Sequence, residues 1–295
     1  MKKVIFDTDI GSDIDDALAL AYLLKEPECE LVGVTTVTGE PELRAGMVSA
    51  ICRNLGRDDI PIHVGCPLPM SIKQWQPHAS QAARLGPWPH REFAKTNTAI
   101  EFLRSTIRAN PGEISLLCTG PLTNIGTLFT VDPEIPSLLQ ELVLMCGRFH
   151  TELGYEWNAV LDPWATAIVY GSEEHTRPPR HVSYGLDVTT KVRLLRDEAR
   201  ARFAGIDALA PVRDFAEVWF ERADAVTFHD PLAAVGVFHP EVCEYKDCLV
   251  KVGQCEPSIG WTIPTWPDDQ PRRHTIAWDV DSAKFFEIYF GTLAK

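Results

Sequence analysis

The N-terminal stretch carries five aspartates within ten residues, directly after the apolar run VIF. They are Asp7, Asp9, Asp13, Asp15 and Asp16. Carboxylates this close repel one another, so a fold that keeps them together needs a cation, hydrogen bonds or open water around them. Clustered carboxylate oxygens are the ligands that Ca²⁺ and Mg²⁺ prefer in proteins. The stretch therefore favours a site for a hard cation.

Helix capping alone accounts for only part of this cluster. Asp7 and Asp9 follow a predicted strand, and ligands of open parallel sheets bind beyond the carboxyl ends of the strands. The later aspartates open a predicted helix, where the helix dipole favours anions, so Asp13 could be a helix cap as readily as a site residue. An EF-hand loop is excluded, because Gly11 is at the fifth position counted from Asp7 rather than the sixth.

The elements that must position these residues alternate between short β-type runs and longer helical runs. This order predicts an α/β fold, an open and mostly parallel (mixed) central sheet with helices on both faces, in a single domain over 1–295. Predicted strands cover 3–6, 29–39, 113–118, 141–147, 181–188, 248–253 and 274–281. Predicted helices cover 15–25, 41–56, 98–110, 121–130, 211–223, 230–238 and 282–294.

Two long segments, 65–90 and 253–273, lack a regular pattern and are rich in Pro and Trp. Unstructured connections of this length are uncommon in a compact domain unless they serve as lids or binding loops. Both segments are therefore candidates for lids or binding loops.

Composition limits the partners and the compartment. Lys+Arg 28 against Asp+Glu 41 gives a formal charge of -13, which repels nucleic acids and anionic lipids, so we expect neither as a partner. The N-terminus lacks the apolar core of a signal peptide, and no stretch is long and apolar enough to span a membrane. The eight cysteines form no C-x-x-C pair and are expected to be reduced thiols in a cytoplasmic protein.

Several motifs together resemble one enzyme family. DTDIGSDIDDALAL resembles the N-terminal D-x-D-x-G-x-D-D signature of the inosine-uridine-preferring nucleoside hydrolases. NPGEISLLCTGPLTNIGTLFTVDPE, ELVLMCG, EWNAVLDPWAT, GLDVT and FHDP follow in the family's order, from Lys3 to about Ala233. The resemblance implies a Rossmann-like nucleoside hydrolase fold, hydrolysis of the N-glycosidic bond of ribonucleosides or related N-ribosides by water, one bound Ca²⁺, and a homodimer or homotetramer.

The resemblance also implies roles for individual residues. Asp9 would be the general base, and His229, a residue that could equally be structural, would protonate the leaving base. Trp219 and Phe220 could stack on that base or belong to the core. The implied ligands of the cation are Asp9, Asp16, the backbone carbonyl of Thr123 and Asp230.

The ribose would be bound by Asp15, or by Asp13 in its place, because the family has two residues fewer between Gly11 and the aspartate pair. Asp7, and Asp13 if it does not bind ribose, would support the ligands from behind. The other substrate-binding positions implied by the resemblance are Glu40, Met145, Glu156 and Asn158.

The sequence departs from the family at three places. Glu40 stands where the family usually has asparagine, the segment 146–155 is shorter and lacks an asparagine that contacts the ribose 5'-hydroxyl, and His78 only roughly replaces a His-Gly pair near the base. We therefore expect that hydrolysis of an N-riboside is kept while substrate preference has moved.

Two alternatives from different functional classes remain open on the sequence alone. A haloacid-dehalogenase-like phosphohydrolase would use Asp7 as nucleophile with Mg²⁺, although the later hydroxyl residue, lysine and acidic pair of that family do not appear in order. A non-catalytic homologue would bind ribose or nucleosides and Ca²⁺ without turnover.

Overall fold

A nine-stranded sheet forms the centre of the protein in a computed structural model that describes residues 1–150, 154–172, 176, 180–269, 271 and 273–295. The strand order is β10-β9-β11-β6-β5-β4-β1-β2-β3, and a separate antiparallel pair joins β7 to β8. The strands are β1 (Lys2–Thr8), β2 (Cys29–Thr36), β3 (Ile62–Val64), β4 (Ile114–Cys118), β5 (Glu141–Met145), β6 (His181–Tyr184), β7 (Arg193–Leu195), β8 (Ala225–Thr227), β9 (Cys243–Val252), β10 (Thr262–Thr265) and β11 (His274–Val280).

Twelve α-helices in the described part of the chain cover the central sheet and its loops. Short 3-10 helices at Ser80–Arg84, Asp207–Leu209 and Pro240–Val242 join them. The helices are α1 (Asp15–Lys25), α2 (Pro41–Asn54), α3 (Ala99–Ala109), α4 (Thr123–Val131), α5 (Ile135–Leu138), α6 (Trp157–Leu161), α7 (Pro163–Gly171), α8 (Leu186–Thr189), α9 (Arg196–Ala204), α10 (Ala210–Phe220), α11 (His229–Phe238) and α12 (Ser282–Leu293).

The sheet is parallel from β3 through β11 and antiparallel only where β9 and β10 add to one edge. Two hydrophobic clusters lie on its two faces, because side chains alternate along each strand. On β1, Val4 and Phe6 belong to one cluster and Ile5 to the other. The predicted α/β class, with a mostly parallel mixed sheet covered on both faces, is confirmed.

The strand order reverses between β1 and β4. From β1 the chain proceeds outward through β2 and β3, then returns to the other side of β1 for β4, β5 and β6. At such a reversal the loops after the two central strands diverge and leave a crevice at their carboxyl ends. The aspartates that follow β1 lie at this crevice.

Several predicted elements were wrong in extent. The predicted strand at 181–188 ends at Tyr184, and α8 takes up its second half. The helix expected from 121 begins at Thr123, and the strand expected at 248–253 begins earlier, at Cys243. The segments expected to be unstructured contain the Ser80–Arg84 helix and β10.

None of the helices in the described ranges is long and apolar enough to cross a membrane.

Candidate active site

A cavity of about 570 Å³ opens at the carboxyl edge of the sheet. Asp9 follows β1 and Thr119 follows β4, so the two strands that adjoin the reversal each place a residue in its wall, and Met145 at the end of β5 adds a third. The N-terminus of α1, the first turn of α11 and the segment 75–80 also contribute residues to its lining. The 65–90 segment therefore contributes to the site, as predicted for a binding loop.

Three carboxylates meet on the floor of the cavity. Oxygens of Asp15, Asp16 and Asp230 all lie within 4.8 Å of one another, and each residue is at most 3% exposed. Burial raises the pKa of each of the three well above its ordinary value, and repulsion between the neighbouring carboxylates adds to this. A cation between them would reverse both effects.

The donor set indicates which kind of cation fits. The group offers only oxygen ligands, with neither cysteine nor histidine, which suits a hard ion such as Ca²⁺ or Mg²⁺ rather than Zn²⁺. The hydroxyls of Thr8 and Thr119 donate to Asp16 at 2.5 and 2.9 Å and orient it, and the Asp230 N–H donates to Asp15 at 3.3 Å. A buried aspartate cluster that could bind a metal is therefore present.

Asp9 lines the cavity beside this group but is not one of its three members. One carboxylate oxygen accepts a hydrogen bond from the Gln76 side chain, while the Asp9 backbone carbonyl accepts one from the guanidinium of Arg44. Burial raises the pKa of Asp9, and the nearby Arg44 and the bond from Gln76 lower it. Asp9 is thus placed as a carboxylate at the edge of the acidic floor.

The predicted ribose-binding residues Met145, Glu156 and Asn158 line one wall together. Asn158 donates its amide to the carbonyls of Thr119 and Met145 at 2.7 and 3.1 Å, which fixes its side chain against the ends of β4 and β5. Glu156 caps α6 and accepts hydrogen bonds from the backbone N–H groups of Gly147, Asn158 and Ala159. Burial raises its pKa, and these bonds lower it.

Three predicted site residues do not line the cavity. Asp7 lies behind it, where Thr35 and Asn124 donate to one carboxylate oxygen, which fits a supporting role. Thr123 opens α4 and donates its hydroxyl to Asp162 at 2.8 Å; its backbone carbonyl as a ligand stays a prediction. Glu40 is not among the residues that line the cavity, and its carboxylate accepts from the N–H of Ala79 at 2.9 Å. Direct contact between Glu40 and a bound substrate finds no support in this geometry.

Asp13 and Asp15 both line the cavity, so the choice between them as the ribose ligand stays open. Asp13 accepts the backbone N–H of Ile14, yet it does not begin α1, which starts at Asp15. The interpretation of Asp13 as a plain helix cap is therefore not supported. Burial raises its pKa to about 7.

His229 and Trp219 also line the cavity. The His229 ring nitrogen Nδ1 is 2.7 Å from the Thr189 hydroxyl, and burial lowers its pKa to about 4. The guanidinium of Arg222 lies over the Trp219 ring, 5.3 Å from the ring centroid. Phe220 is part of the hydrophobic core, so its predicted alternative role in stacking on a base is wrong.

The structure adds residues that the sequence did not single out. Arg44 and Gln76 contact Asp9 from positions 35 and 67 residues away, so no local pattern could reveal them. Asp162 had a visible signal, since an aspartate directly before a proline is typical of a helix start, and it does cap α7. It also accepts from the hydroxyl of Thr123 and the N–H of Met70.

Comparison with known proteins identifies the family to which the chain belongs. The family model for inosine-uridine preferring nucleoside hydrolases matches residues 4–287. The chain is similar to the probable uridine nucleosidase 2 of Oryza sativa subsp. japonica, with 29% identity over 96% of this chain and 90% of that protein. It is also similar to the pyrimidine-specific ribonucleoside hydrolase RihA of Citrobacter koseri, with 28% identity over 99% of this chain and 97% of that protein.

Among solved structures, the purine-preferring ribonucleoside hydrolase from Gardnerella vaginalis superposes with a TM-score of 0.84. It covers 99% of this chain and 98% of that chain at 23% identity, a likeness that concerns the fold. The match to the family model extends over nearly the whole sequence and confirms both the predicted family and the predicted enzyme class, an N-glycosidase. The chain belongs to the inosine-uridine preferring nucleoside hydrolase family.

Proposed function

We propose that this protein is a Ca²⁺-dependent ribonucleoside hydrolase that releases the base and ribose from a nucleoside or a related N-riboside. The observation that carries the proposal is the buried oxygen-only group of Asp15, Asp16 and Asp230, next to Asp9 in a cavity at the strand-order reversal. The proposed ligands are Asp9, Asp16, the carbonyl of Thr123 and Asp230, and Asp15 adjoins them. A bound Ca²⁺ supplies positive charge that offsets the carboxylates, helps hold the ribose diol and favours ionisation of a nearby water.

In the proposed mechanism Asp9 accepts a proton from a water molecule. The water oxygen bonds to C1' of the ribose as the C1'–N bond breaks, and the electron pair of that bond goes to the base nitrogen. Positive charge develops on the ribose, and the carboxylates of the floor stabilise it. Asp15 or Asp13, Glu156 and Asn158 hold the ribose, and Met145 packs beneath it.

The leaving base then needs a proton, and His229 is the proposed donor because it lies in the cavity wall. Its lowered pKa means that imidazole is neutral near pH 7, so its contribution is expected to grow toward lower pH. Trp219 also lines the cavity and is proposed to pack on the base.

We further propose that residues 1–295 form one domain, that the protein works in the cytoplasm as a homodimer or homotetramer, and that it has no nucleic-acid partner. The net charge of -13 supports the last point, and the family resemblance supports the oligomer. Light scattering with size-exclusion chromatography tests the oligomer.

The proposal is tested with a panel of purine and pyrimidine ribonucleosides and a reducing-sugar assay, in added Ca²⁺ and in chelator. We expect turnover that needs Ca²⁺ and that falls about 10²- to 10⁴-fold in Asp9→Asn, the usual contribution of a general base. Ca²⁺ binding without turnover on any nucleoside would favour the non-catalytic alternative. Release of phosphate from a phosphomonoester, without sugar release, would favour the phosphohydrolase alternative, which the family match does not support.

A further inference from the structure

A glutamine from the 65–90 segment contacts the carboxylate proposed as the general base. Gln76 is 9% exposed and lies between two cavity residues. Its side-chain Nε2 donates to Oδ2 of Asp9, and its Oε1 accepts from the indole Nε1 of Trp157 at 2.5 Å. The three side chains therefore form one continuous row of hydrogen bonds from the rim of the cavity to its floor.

The chemistry of the two ends fixes the orientation of the amide between them. An indole N–H can only donate, and an ionised carboxylate can only accept. The Gln76 amide satisfies both only with its oxygen toward Trp157 and its nitrogen toward Asp9. If the amide were rotated by half a turn, donor would face donor and acceptor would face acceptor. Trp157 thus determines which end of Gln76 meets Asp9.

The loop around Gln76 is held from behind. The Gln76 backbone N–H donates to the side chain of Gln74 at 2.8 Å. The Gln74 amide in turn donates to the hydroxyl of Thr38 and to the carbonyl of Pro67, both at 2.9 Å. Thr38 lies just beyond the end of β2, so the row of hydrogen bonds is tied to the sheet as well as to α6.

We propose that Gln76, oriented by Trp157, is a positioning residue that fixes the rotamer of Asp9. The amide engages one lone pair of Oδ2, which leaves Oδ1 to accept the proton from the attacking water and the remaining lone pairs of Asp9 for the proposed cation. This inference rests on the proposed function. It adds to that function the residues that orient Asp9, the proposed general base. Glu40, whose side chain turns toward Ala79, does not supply this contact.

The test compares Gln76→Leu, Trp157→Phe and the double variant with the wild type, on the nucleoside that the wild type cleaves best. Gln76→Leu should lower kcat about 10- to 100-fold, as for other residues that orient a reactive group, with KM and the Kd for Ca²⁺ from calorimetry little changed. Trp157→Phe keeps the ring but removes the donor and should lower kcat less. The double variant should equal Gln76→Leu, because Trp157 acts through Gln76.

Trp266→Phe is the matched control, since Trp266 is also a partly exposed tryptophan but packs on Trp278 and not in the cavity. Thermal melting of every variant verifies folding. An active wild type whose kcat is unaffected by Gln76→Leu, or strictly additive losses in the double variant, would overturn the role of Gln76 alone. A wild type without turnover on any nucleoside would overturn the proposed function and this role with it.

Discussion

The five N-terminal aspartates look alike in the sequence but occupy different environments in the structure. Asp16 receives two hydroxyl hydrogen bonds, Asp9 faces Gln76, and Asp7 lies behind the cavity with its Oδ2 lacking a hydrogen-bond partner among the described residues. The sequence could predict a carboxylate group able to bind a cation, because repulsion depends only on charge and proximity. It could not rank the individual carboxylates, since their surroundings come from distant segments.

Asp7 should make the stability of the protein depend on pH. Burial raises its pKa in the folded state from 3.8 to about 7, so folding favours the protonated form. Its contribution to stability is therefore fully present below pH 4 and is lost as pH rises through 7. Urea unfolding in chelator should show a free energy of unfolding that falls with pH over this window, with a slope of up to about 1.4 kcal/mol per pH unit from this group.

Asp7→Asn is the comparison for this pH effect, because it removes the titrating group. The difference in unfolding free energy between wild type and variant should change across pH 4 to 7 and be constant above about pH 8. A difference that stays constant over the whole range would contradict the assignment of a raised pKa to Asp7.

Asp230→Asn should separate two effects of the buried carboxylate group, repulsion between the carboxylates in the metal-free protein and binding of Ca²⁺. Without metal, replacing one of three repelling carboxylates with an amide should raise the melting temperature by about 2 to 4 °C, the effect of roughly 1 kcal/mol in a domain of this size. With metal, the loss of a charged ligand should weaken Ca²⁺ binding at least about 10-fold and shrink the Ca²⁺-induced rise in melting temperature.

Scanning fluorimetry in Ca²⁺ and in chelator checks both halves of this prediction. Asp58→Asn is the control. Asp58 forms an exposed ion pair with Arg53, and such pairs contribute little to the free energy of unfolding. A metal-free Asp230→Asn protein that melts below the wild type would show that the three carboxylates are not mutually destabilising.

Glu40→Asn should change substrate preference more than metal affinity. Glu40 anchors the segment that lines the cavity, accepting from the Ala79 N–H and facing the His78 ring at 3.2 Å. The shorter amide would lose this anchor, and a charge-assisted bond of this kind corresponds to roughly a tenfold rise in KM. Glu40→Gln keeps the length of the side chain, so its KM should rise less. Calorimetry that finds Ca²⁺ binding abolished or greatly tightened, with the substrate profile unmoved, would refute this.

At the scale of elements, periodicity predicted the core of the fold and failed where segments are short. The strands β3, β7 and β8 have three residues each, too few to show alternation, and the largely polar α9 buries only Ala199 and Phe203. The strand predicted at 181–188 was too long because Gly185 and the residues after it read as β-type, whereas α8 begins there. Long apolar elements such as α1 and β5 matched their predictions closely.

One buried side chain holds together the elements around the site. Arg44 of α2 is fully buried and donates to the carbonyls of Ile10 and Gly39 at 2.9 and 2.8 Å, as well as to that of Asp9. Arg44→Met should therefore lower the free energy of unfolding by about 3 to 5 kcal/mol, because it leaves these carbonyls without a donor and removes the positive charge near the Asp9 carboxylate.

Urea unfolding at one pH in chelator measures this loss. Arg53→Met, on the exposed side of the same helix, should stay within about 0.5 kcal/mol of the wild type. A loss below about 1 kcal/mol for Arg44→Met would mean that Arg44 fills space without joining α2 to the loop after β1.

At the scale of the whole molecule, the sequence predicted which residues meet but not how they are held. Asp16 and Asp230 meet, as the family resemblance implied, but the structure groups Asp15, rather than Asp9, with them. The residues that contact Asp9, Arg44 and Gln76, come from α2 and from the 65–90 segment. Sequence patterns do not show that these distant segments lie close to Asp9. The fold class could be predicted from the alternation of short β-type runs with longer helical runs. Parallel strands that are buried on both faces appear in the sequence as continuous apolar runs, which makes this alternation visible.

The three carboxylates on the cavity floor are synthesised at different times. Asp15 and Asp230 are 215 residues apart in the chain, yet the backbone N–H of one donates to the carboxylate of the other. A ribosome adding about 5 to 20 residues per second needs roughly 10 to 40 seconds to make the chain between them. During that interval the N-terminal aspartates have left the ribosome without their third partner. A cation that needs all three carboxylates could therefore bind only late in biosynthesis, and a chain truncated before residue 230 would carry the N-terminal aspartates without being able to complete the site.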